Sequence, residues 1–424
     1  MKNSVIISTF LLALTSLSAC KNDTEEIGYM LPKTRQIELT STQKELATKN
    51  NNFAFKLVQK INDGKNATAD KGKSLFVSPF SVTCMLGMIN SGTNDECQRE
   101  ITGVLGMNGT TAQQVNEFCY SLISQAPQAD KQVTFETVNA VFTNKGYQVT
   151  PQYESITNSY YKSKTQSVDF GTSEALATIN NWAKESSHGM ITDIINDLDP
   201  ESAVCLLNTA YFEAKWTEQF DKAKTTTDVF TSEDGTKTNV QMMHNKALLS
   251  VDANDIFTTV CLPYGSGLNW NMYILLPEKG KNIDDVLACL DANYWESVSK
   301  KSQPMVLEVS IPKFSVEDNI DIRKTLTEMG LECIFKKGAL SQMLSNAAEA
   351  TINTMLQKSR IDVSEEGAKM VATTIAYKGD TATPPASGDY QIKDGKFNVN
   401  RPFVYLVTES SSNAVFFVGT YTGK

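Results

Sequence analysis

Apolar positions along the 424-residue chain change period from segment to segment. Leu46, Phe53, Ala54, Leu57, Val58 and Ile61 recur at helical spacing, and Thr42-x-x-Glu45 ahead of them reads as a capping box. Leu75, Phe76 and Val77 form a short strand running into a helix. Ser78 suits the cap of that helix, Pro79 its first turn, and Val82, Met85, Leu86 and Ile89 its buried face. Further helices are expected after Thr93-x-x-Glu96, over residues 113–123, over residues 151–160, and from Ile179 to a terminator at Gly189 beside a surface His188. Residues 133–143 alternate as a long strand, with Val133, Phe135, Thr137, Asn139 and Val141 on one face. A short strand is expected at 168–170. Residues 203–212 are apolar like a buried strand, and Asn208 within them requires partners. More strand signals follow at 240–243, 261–264, 272–277, 403–409 and 414–421. No repeat appears, and so many strands favour one large multi-sheet body over two domains.

The stretch 357–385 has a character of its own. Arg360-Ile361-Asp362-Val363 alternates like a strand, and Glu365-Glu366-Gly367 follow. From Ala368 onward small and β-branched residues keep period two. Ala368, Met370, Ala372, Thr374 and Ala376 share one face; Lys369, Val371, Thr373, Ile375 and Tyr377 share the other. With one charge, Lys369, such a strip suits a strand inside a sheet in one state and an exposed loop in another. It ends in loop chemistry, 378–388, rich in Gly, Pro, Thr and Ser.

The N-terminus is a targeting segment. Met1-Lys2 is followed by an apolar run, residues 5–14, too short to span a bilayer. Leu17-Ser18-Ala19-Cys20 resembles the processing site of bacterial lipoproteins, which makes residues 1–19 a signal peptide and Cys20 the lipidated first mature residue. An ordinary secretory signal cut after a small residue is the alternative. Residues 20–41 then form a polar tether with Asp23, Glu25 and Glu26 near the anchor, and the body is expected from 42 to 424. The expected location is the outer membrane or cell surface of a bacterium, with a periplasm-facing anchor also open.

Composition, 41% hydrophobic and 21% charged, is that of an ordinary globular protein, and the net charge of −9 argues against nucleic acid as partner. The only two histidines, His188 and His244, restrict histidine-based metal sites and triads. Beyond Cys20 the seven cysteines show no C-x-x-C and sit mostly in apolar segments, so buried free thiols are expected. Ser41-x-x-Lys44 and Ser297-x-x-Lys300 have the spacing of a hydrolase dyad, but no G-x-S-x-G occurs and Ser41 belongs to a helix start. An enzyme is not expected.

About ten segments, in order, resemble the serpins. Leu75 to Val82 matches the family's F-x-S-P-x-S-I segment, and Ile179-Asn180-Asn181-Trp182 with Gly189 matches I-N-x-W…G. Leu207 to Trp216 matches L-x-N-A-x-Y-F-K-G-x-W, with Glu213-Ala214 in place of Lys-Gly. Glu365-Glu366-Gly367-Ala368 and Asn400-Arg401-Pro402-Phe403-Val404 match the hinge and the C-terminal signature. Segments at 309–314, 326–330 and 335–341 also have counterparts.

The resemblance implies an α+β single large domain with three β-sheets, eight or nine helices and an exposed reactive-centre loop at about 367–396. It implies a suicide-substrate inhibitor of serine, and also cysteine, proteases: the loop is cut, the acyl-enzyme is trapped and the loop inserts into the main sheet. The alternative is a non-inhibitory serpin that binds something else. The implied hinge is Glu365, Glu366, Gly367, Ala368, Lys369 and Met370, where Met370 departs from the family's alanine. The family's residue count gives Thr381–Ala382 as the reactive bond, with Lys378–Gly379 and Tyr377–Lys378 as alternatives. Gln357 stands where the family has a histidine, and is expected to form a polar cluster with Asn208, Ser78 and Ser81. No cofactor or metal is expected. The expected partners are proteases, held covalently, and a lipid surface; the expected state is a monomer.

Overall fold

The structure is a computed structural model describing residues 34–267, 269–367 and 395–424. Cys20, Ala368, Lys369, Met370, Tyr377, Lys378, Gly379, Thr381 and Ala382 lie outside the described residues.

Helical and strand segments alternate early and strands dominate later. Helix α1 (Ser41–Asn66) leads to β1 (Leu75–Val77), then α2 (Pro79–Asn90), α3 (Asp95–Val104) and α4 (Ala112–Gln125). Next come β2 (Val133–Asn144), α5 (Pro151–Tyr161), β3 (Lys164–Val168), α6 (Ser173–Ser186) and β4 (Val204–Ala214). The strand-rich middle holds β5 (Thr226–Thr231), β6 (Lys237–Ala253), β7 (Phe257–Pro263) and β8 (Trp270–Pro277). After α7 (Ile283–Cys289) and α8 (Ala292–Lys301) come β9 (Gln303–Pro312), β10 (Phe314–Asp321), α9 (Ile322–Glu328) and β11 (Ile352–Val363). β12 (Lys396–Asn398), β13 (Phe403–Glu409) and β14 (Ala414–Tyr421) close the chain.

The capping box of α1 lies two residues earlier than the sequence suggests. Thr40 is extended and exchanges hydrogen bonds with Gln43, so Ser41 and Thr42 are already helical. Glu45 instead pairs with Lys49 one turn on, at 2.7 Å. Likewise Asn94, not Thr93, caps α3 by accepting from the Cys97 N–H. The strand placed at 168–170 runs over β3 instead, since its partner β2 sets the register: Ala140 opposes Lys164 and Asn144 opposes Val168.

Two hydrogen-bonded sheets result. The five-stranded one has the order β10-β11-β4-β2-β3, and the other runs β1-β14-β13-β8-β7-β6-β9-β12 with β5 joined to β6. The long β6 divides this second sheet, because its first residues, Lys237–Met242, pair β5 while Ser250–Ala253 pair β7. That division accounts for the three sheets expected. The main core fills the space between the sheets and the helices; Phe80, Phe135, Trp270 and Phe416 meet there with ring centroids 4.8–6.5 Å apart. A smaller core on the opposite face of the five-stranded sheet joins Phe142, Cys205 and Leu207 to Trp182 of α6 and to Ile191, Ile194 and Leu198. Burial on both faces is why β4 reads as continuously apolar.

The cysteine expectation needs correction. Cys97 on α3 and Cys333 form a disulfide across 236 residues, with their Cα atoms 5.3 Å apart. Pairing at such separation is set by the tertiary fold and leaves no spacing signal in the sequence. Cys84, Cys119 and Cys205 are buried free thiols as expected, while Cys261 and Cys289 are only partly covered. Closing so long a loop restricts the unfolded chain. Cys97→Ser is expected to cost about 2–5 kcal/mol, read as a lower Tm, and non-reducing peptide mapping should recover the 97–333 crosslink.

Candidate functional site

The centre of the five-stranded sheet is a parallel pair, β4 and β11, in otherwise antiparallel company except at β3. Their ladder runs from Val204 opposite Ile352 to Thr209 opposite Lys358 and stops there. Both strands continue. Residues 359–363 keep β10 on their outer side, up to Val363 opposite Phe314. Residues 210–214 keep β2, up to Ala214 opposite Val133. The two inner edges have no ladder to each other among the described residues.

A tight turn tops this seam. The Ser364 and Gly367 N–H groups each donate to the other's carbonyl at 3.1 Å. Gly367 bridges Lys215, just past the end of β4. Trp216 donates its backbone N–H to Glu366 O at 3.3 Å and its indole N–H to Ser364 O at 2.9 Å. Its ring stacks on Tyr264 with centroids 4.4 Å apart. Gly367 has φ +99°, and a Cβ there would lie 2.4 Å from the Trp216 nitrogen; only glycine fits.

The two acidic residues of the turn are tied down. Glu365, with a side chain only 5% exposed, lies 2.9 Å from Lys313 Nζ and accepts from Thr225 Oγ1 at 2.8 Å. Burial alone would raise its carboxyl; Lys313 and Thr225 overcome that and hold it below the usual glutamate range. Glu366 pairs with Lys222.

Below the gap lies a buried polar cluster. Gln357 grips the Ser78 backbone, donating to its carbonyl at 2.8 Å and accepting from its N–H at 3.0 Å. Ser78 Oγ donates to Phe416 O and receives the Ser81 N–H. Asn208, opposite Gln357 in the register, donates instead to Thr137 Oγ1 and Asn139 Oδ1, both at 2.9 Å. The structure therefore brings Ser78, Ser81, Asn208 and Gln357 into one region; Gln357 and Asn208 hold different partners, and the two sides meet where Ser81 Oγ lies 3.4 Å from Thr137 Oγ1. Sequence reasoning missed Thr137, Asn139 and Ser359, whose hydroxyl donates to Phe76 O at 2.7 Å. Polar residues at inward positions of an alternating strand were the available signal. Trp216 closes the Leu207–Trp216 motif, but its stacking on Tyr264 and the tie from Lys313 to Glu365 had no signal, the partners being distant in sequence.

Among the described residues one grouping has metal-ligand proximity, Glu96, Glu100 and Cys333 within 4.8 Å of one another. The sulfur is engaged in the disulfide, and Glu100 accepts from the Glu332 and Cys333 N–H groups.

Residues 48–423 match the family described as serpin (serine protease inhibitor). The chain is a serpin. It is 28% identical to an uncharacterized serpin-like protein of Thermococcus kodakarensis over 92% of this chain and 88% of that protein. It is 29% identical to Serpin-Z2B of Triticum aestivum over 87% and 93%. Two solved structures share the fold with a TM-score of 0.78. One is human thyroxine-binding globulin complexed with thyroxine, at 23% identity, covering 90% of this chain and 98% of that one. The other is tengpin, a thermophilic serpin in the native state, at 22% identity, covering 92% and 96%. Protease inhibitors therefore define the family, and its members are not catalytic enzymes.

Three outcomes follow for this site. Gly367→Ala should strain the turn by about 1–3 kcal/mol, visible as a lower Tm and faster proteolysis near residue 364. Gln357→Leu leaves the buried Ser78 N–H unpaired and its carbonyl with the Val82 N–H alone, and should cost about 1–3 kcal/mol for the orphaned donor in thermal melts. Because Glu365 is held below its unfolded value, its contribution is present above the ordinary glutamate pKa and is lost as pH falls through the lower folded value. In an acid titration followed by Trp216 fluorescence, Lys313→Ala should move the loss of the turn to higher pH.

Proposed function

We propose that this serpin is a suicide-substrate inhibitor of serine, and also cysteine, proteases. The loop following Gly367 is offered as substrate, with Thr381–Ala382 as the reactive bond and Lys378–Gly379 or Tyr377–Lys378 as alternatives. The protease becomes acylated, and the cut segment then enters the seam. Glu365 to Met370 act as the hinge, and Ser78, Ser81, Asn208 and Gln357 as the cluster that yields when the seam opens.

The observation that carries this reading is the unclosed upper seam between β4 and β11. A segment doubling back through the turn at 364–367 would run antiparallel to β11. Since β4 is parallel to β11, it would run antiparallel to β4 as well. One parallel ladder would be replaced by two antiparallel ones, which are more stable per residue. The five residues on each open edge would gain partners, at about 0.5–1.5 kcal/mol per hydrogen bond. Small residues at Ala368, Ala372 and Ala376 suit the inward face, and Met370 is apolar and pliable enough to follow. Fourteen inserted residues would span roughly 45 Å, enough to carry an attached enzyme from one end of the sheet toward the other. In the same reading Cys20 is the lipidated residue and the protein acts at a bacterial outer membrane or cell surface as a monomer.

Incubation with a panel of elastase-, trypsin-, chymotrypsin- and papain-like enzymes should yield a complex that survives boiling in detergent. Mass spectrometry of the released C-terminal peptide would assign the cut, and the nicked protein should melt well above the intact one. Cleavage without a complex and without a rise in Tm would sink the inhibitor reading and favour a binding serpin.

A further inference from the structure

Helices α2 to α5 and the loop ahead of β11 enclose a cavity of about 270 Å³. Ser91 comes from the end of α2, Gln98 from α3, Gln113 and Asn116 from α4, Tyr160 from α5 and Gln342 from the loop. Among the described residues that line it none is charged, although 21% of the chain is. The parts are fixed by bonds of their own. The N–H groups of Gln342 and Met343 both donate to Gly92 O, at 3.1 and 2.9 Å, and Thr150 Oγ1 donates to Gln342 O at 2.7 Å. The disulfide ties Cys97, next to Gln98 on α3, to Cys333 at the start of the same loop.

The lining offers amides and one aromatic wall. Asn116 and Ser91 are buried, and Asn116 Nδ2 donates to Ser91 Oγ at 2.9 Å while its Oδ1 accepts from the Tyr161 hydroxyl at 2.6 Å. One N–H of the Asn116 amide is left over. Gln98 and Gln113 are oriented through Nε2, which donates to Thr93 O at 3.2 Å and to Glu117 Oε1 at 2.8 Å. Both Oε1 atoms remain as acceptors. The Gln342 side chain has no hydrogen bond among the described residues, since its ties are made by its backbone. Tyr160 supplies the wall. Tyr120, 43% exposed and the most exposed large hydrophobic side chain among the described residues, meets that ring edge-on, with centroids 6.1 Å apart.

A charged ligand entering here would lose its water and gain no counter-ion. A wholly apolar one would strand the amides. The ligand that suits carries several adjacent hydroxyls, each both donor and acceptor, and a face of polarised C–H groups to lie on an aromatic ring, whose π face is negative. We propose that the cavity between α3, α4 and α5 is a binding site for one neutral pyranose sugar. Its volume falls just below the roughly 300–1,000 Å³ of sites for drug-sized ligands, which fits a single ring. Gln98, Gln113 and Gln342 address neighbouring hydroxyls, Asn116 gives its spare N–H from the floor, and Tyr160 takes the C–H face. The site is independent of protease trapping: no residue of the turn at 364–367, of β4 or of β11 lines it.

Saturation-transfer NMR on the full chain provides the test, with the methyl glycosides of glucose, galactose, mannose and N-acetylglucosamine as probes and methyl glucuronide as their charged counterpart. At least one neutral glycoside should bind saturably, and more tightly than the glucuronide. Gln342→Ala removes an exposed amide from a loop held by its backbone, so the Tm should stay in place while affinity falls about fivefold, the share of one hydrogen bond. Tyr160→Leu keeps an apolar wall without the ring and should weaken binding as well. Absence of saturable binding by all of the neutral glycosides overturns the proposal. Equal affinity for the glucuronide does the same, and so does binding that survives both substitutions, which places the sugar elsewhere.

Discussion

Among the described residues, six residue pairs of parallel ladder, from Val204 with Ile352 to Thr209 with Lys358, join the two halves of the five-stranded sheet. Every other feature of the site takes its place from this short ladder. Above it the strands run on with no ladder to each other among the described residues, each still paired on its outer side. Below it the smaller and larger cores cover the sheet on both faces. The turn at 364–367 caps the opening without closing it, through backbone bonds to Trp216 and Phe220 rather than through the strands themselves.

The composition of the buried region follows from that arrangement. An all-apolar seam would pack tightly and part reluctantly. Here Gln357, Ser359, Asn208, Thr137, Asn139, Ser78 and Ser81 lie buried where the sheets meet. Such groups are stable when paired and contribute little net free energy beyond the cost of leaving them unpaired. A strand boundary made of them exchanges partners more readily than one made of leucine. The glutamine at 357 does with two amide bonds what a histidine would do with a titratable ring, so this contact has no protonation step of its own.

Much of this was legible in the sequence. Period-two and helical patterns placed most elements to within a few residues, because burial on one face or both leaves a direct imprint on the order of residues. The hinge carboxylates and glycine were visible as local chemistry. What the sequence hid was everything set by distant partners. The caps at Thr40 and Asn94 each competed with an equally good neighbour two positions or one position away. The link between Cys97 and Cys333, the stacking of Trp216 on Tyr264 and the tie from Lys313 to Glu365 bring together groups from separate elements. The division of labour between Gln357 and Asn208 depends on which neighbouring backbone each amide reaches, and no spacing rule encodes that.

One asymmetry in the polar cluster has a mechanical meaning. On β11, Gln357 and Ser359 are fastened to the backbone of Ser78 and Phe76, at and beside β1 in the nine-stranded sheet. On β4, Asn208 is fastened to Thr137 and Asn139 of β2, inside its own sheet. A sheet built this way would not part like a book with two free covers. The leaf carrying β10 and β11 is bolted to the frame, and β4, β2 and β3, with α6 riding on them, form the door.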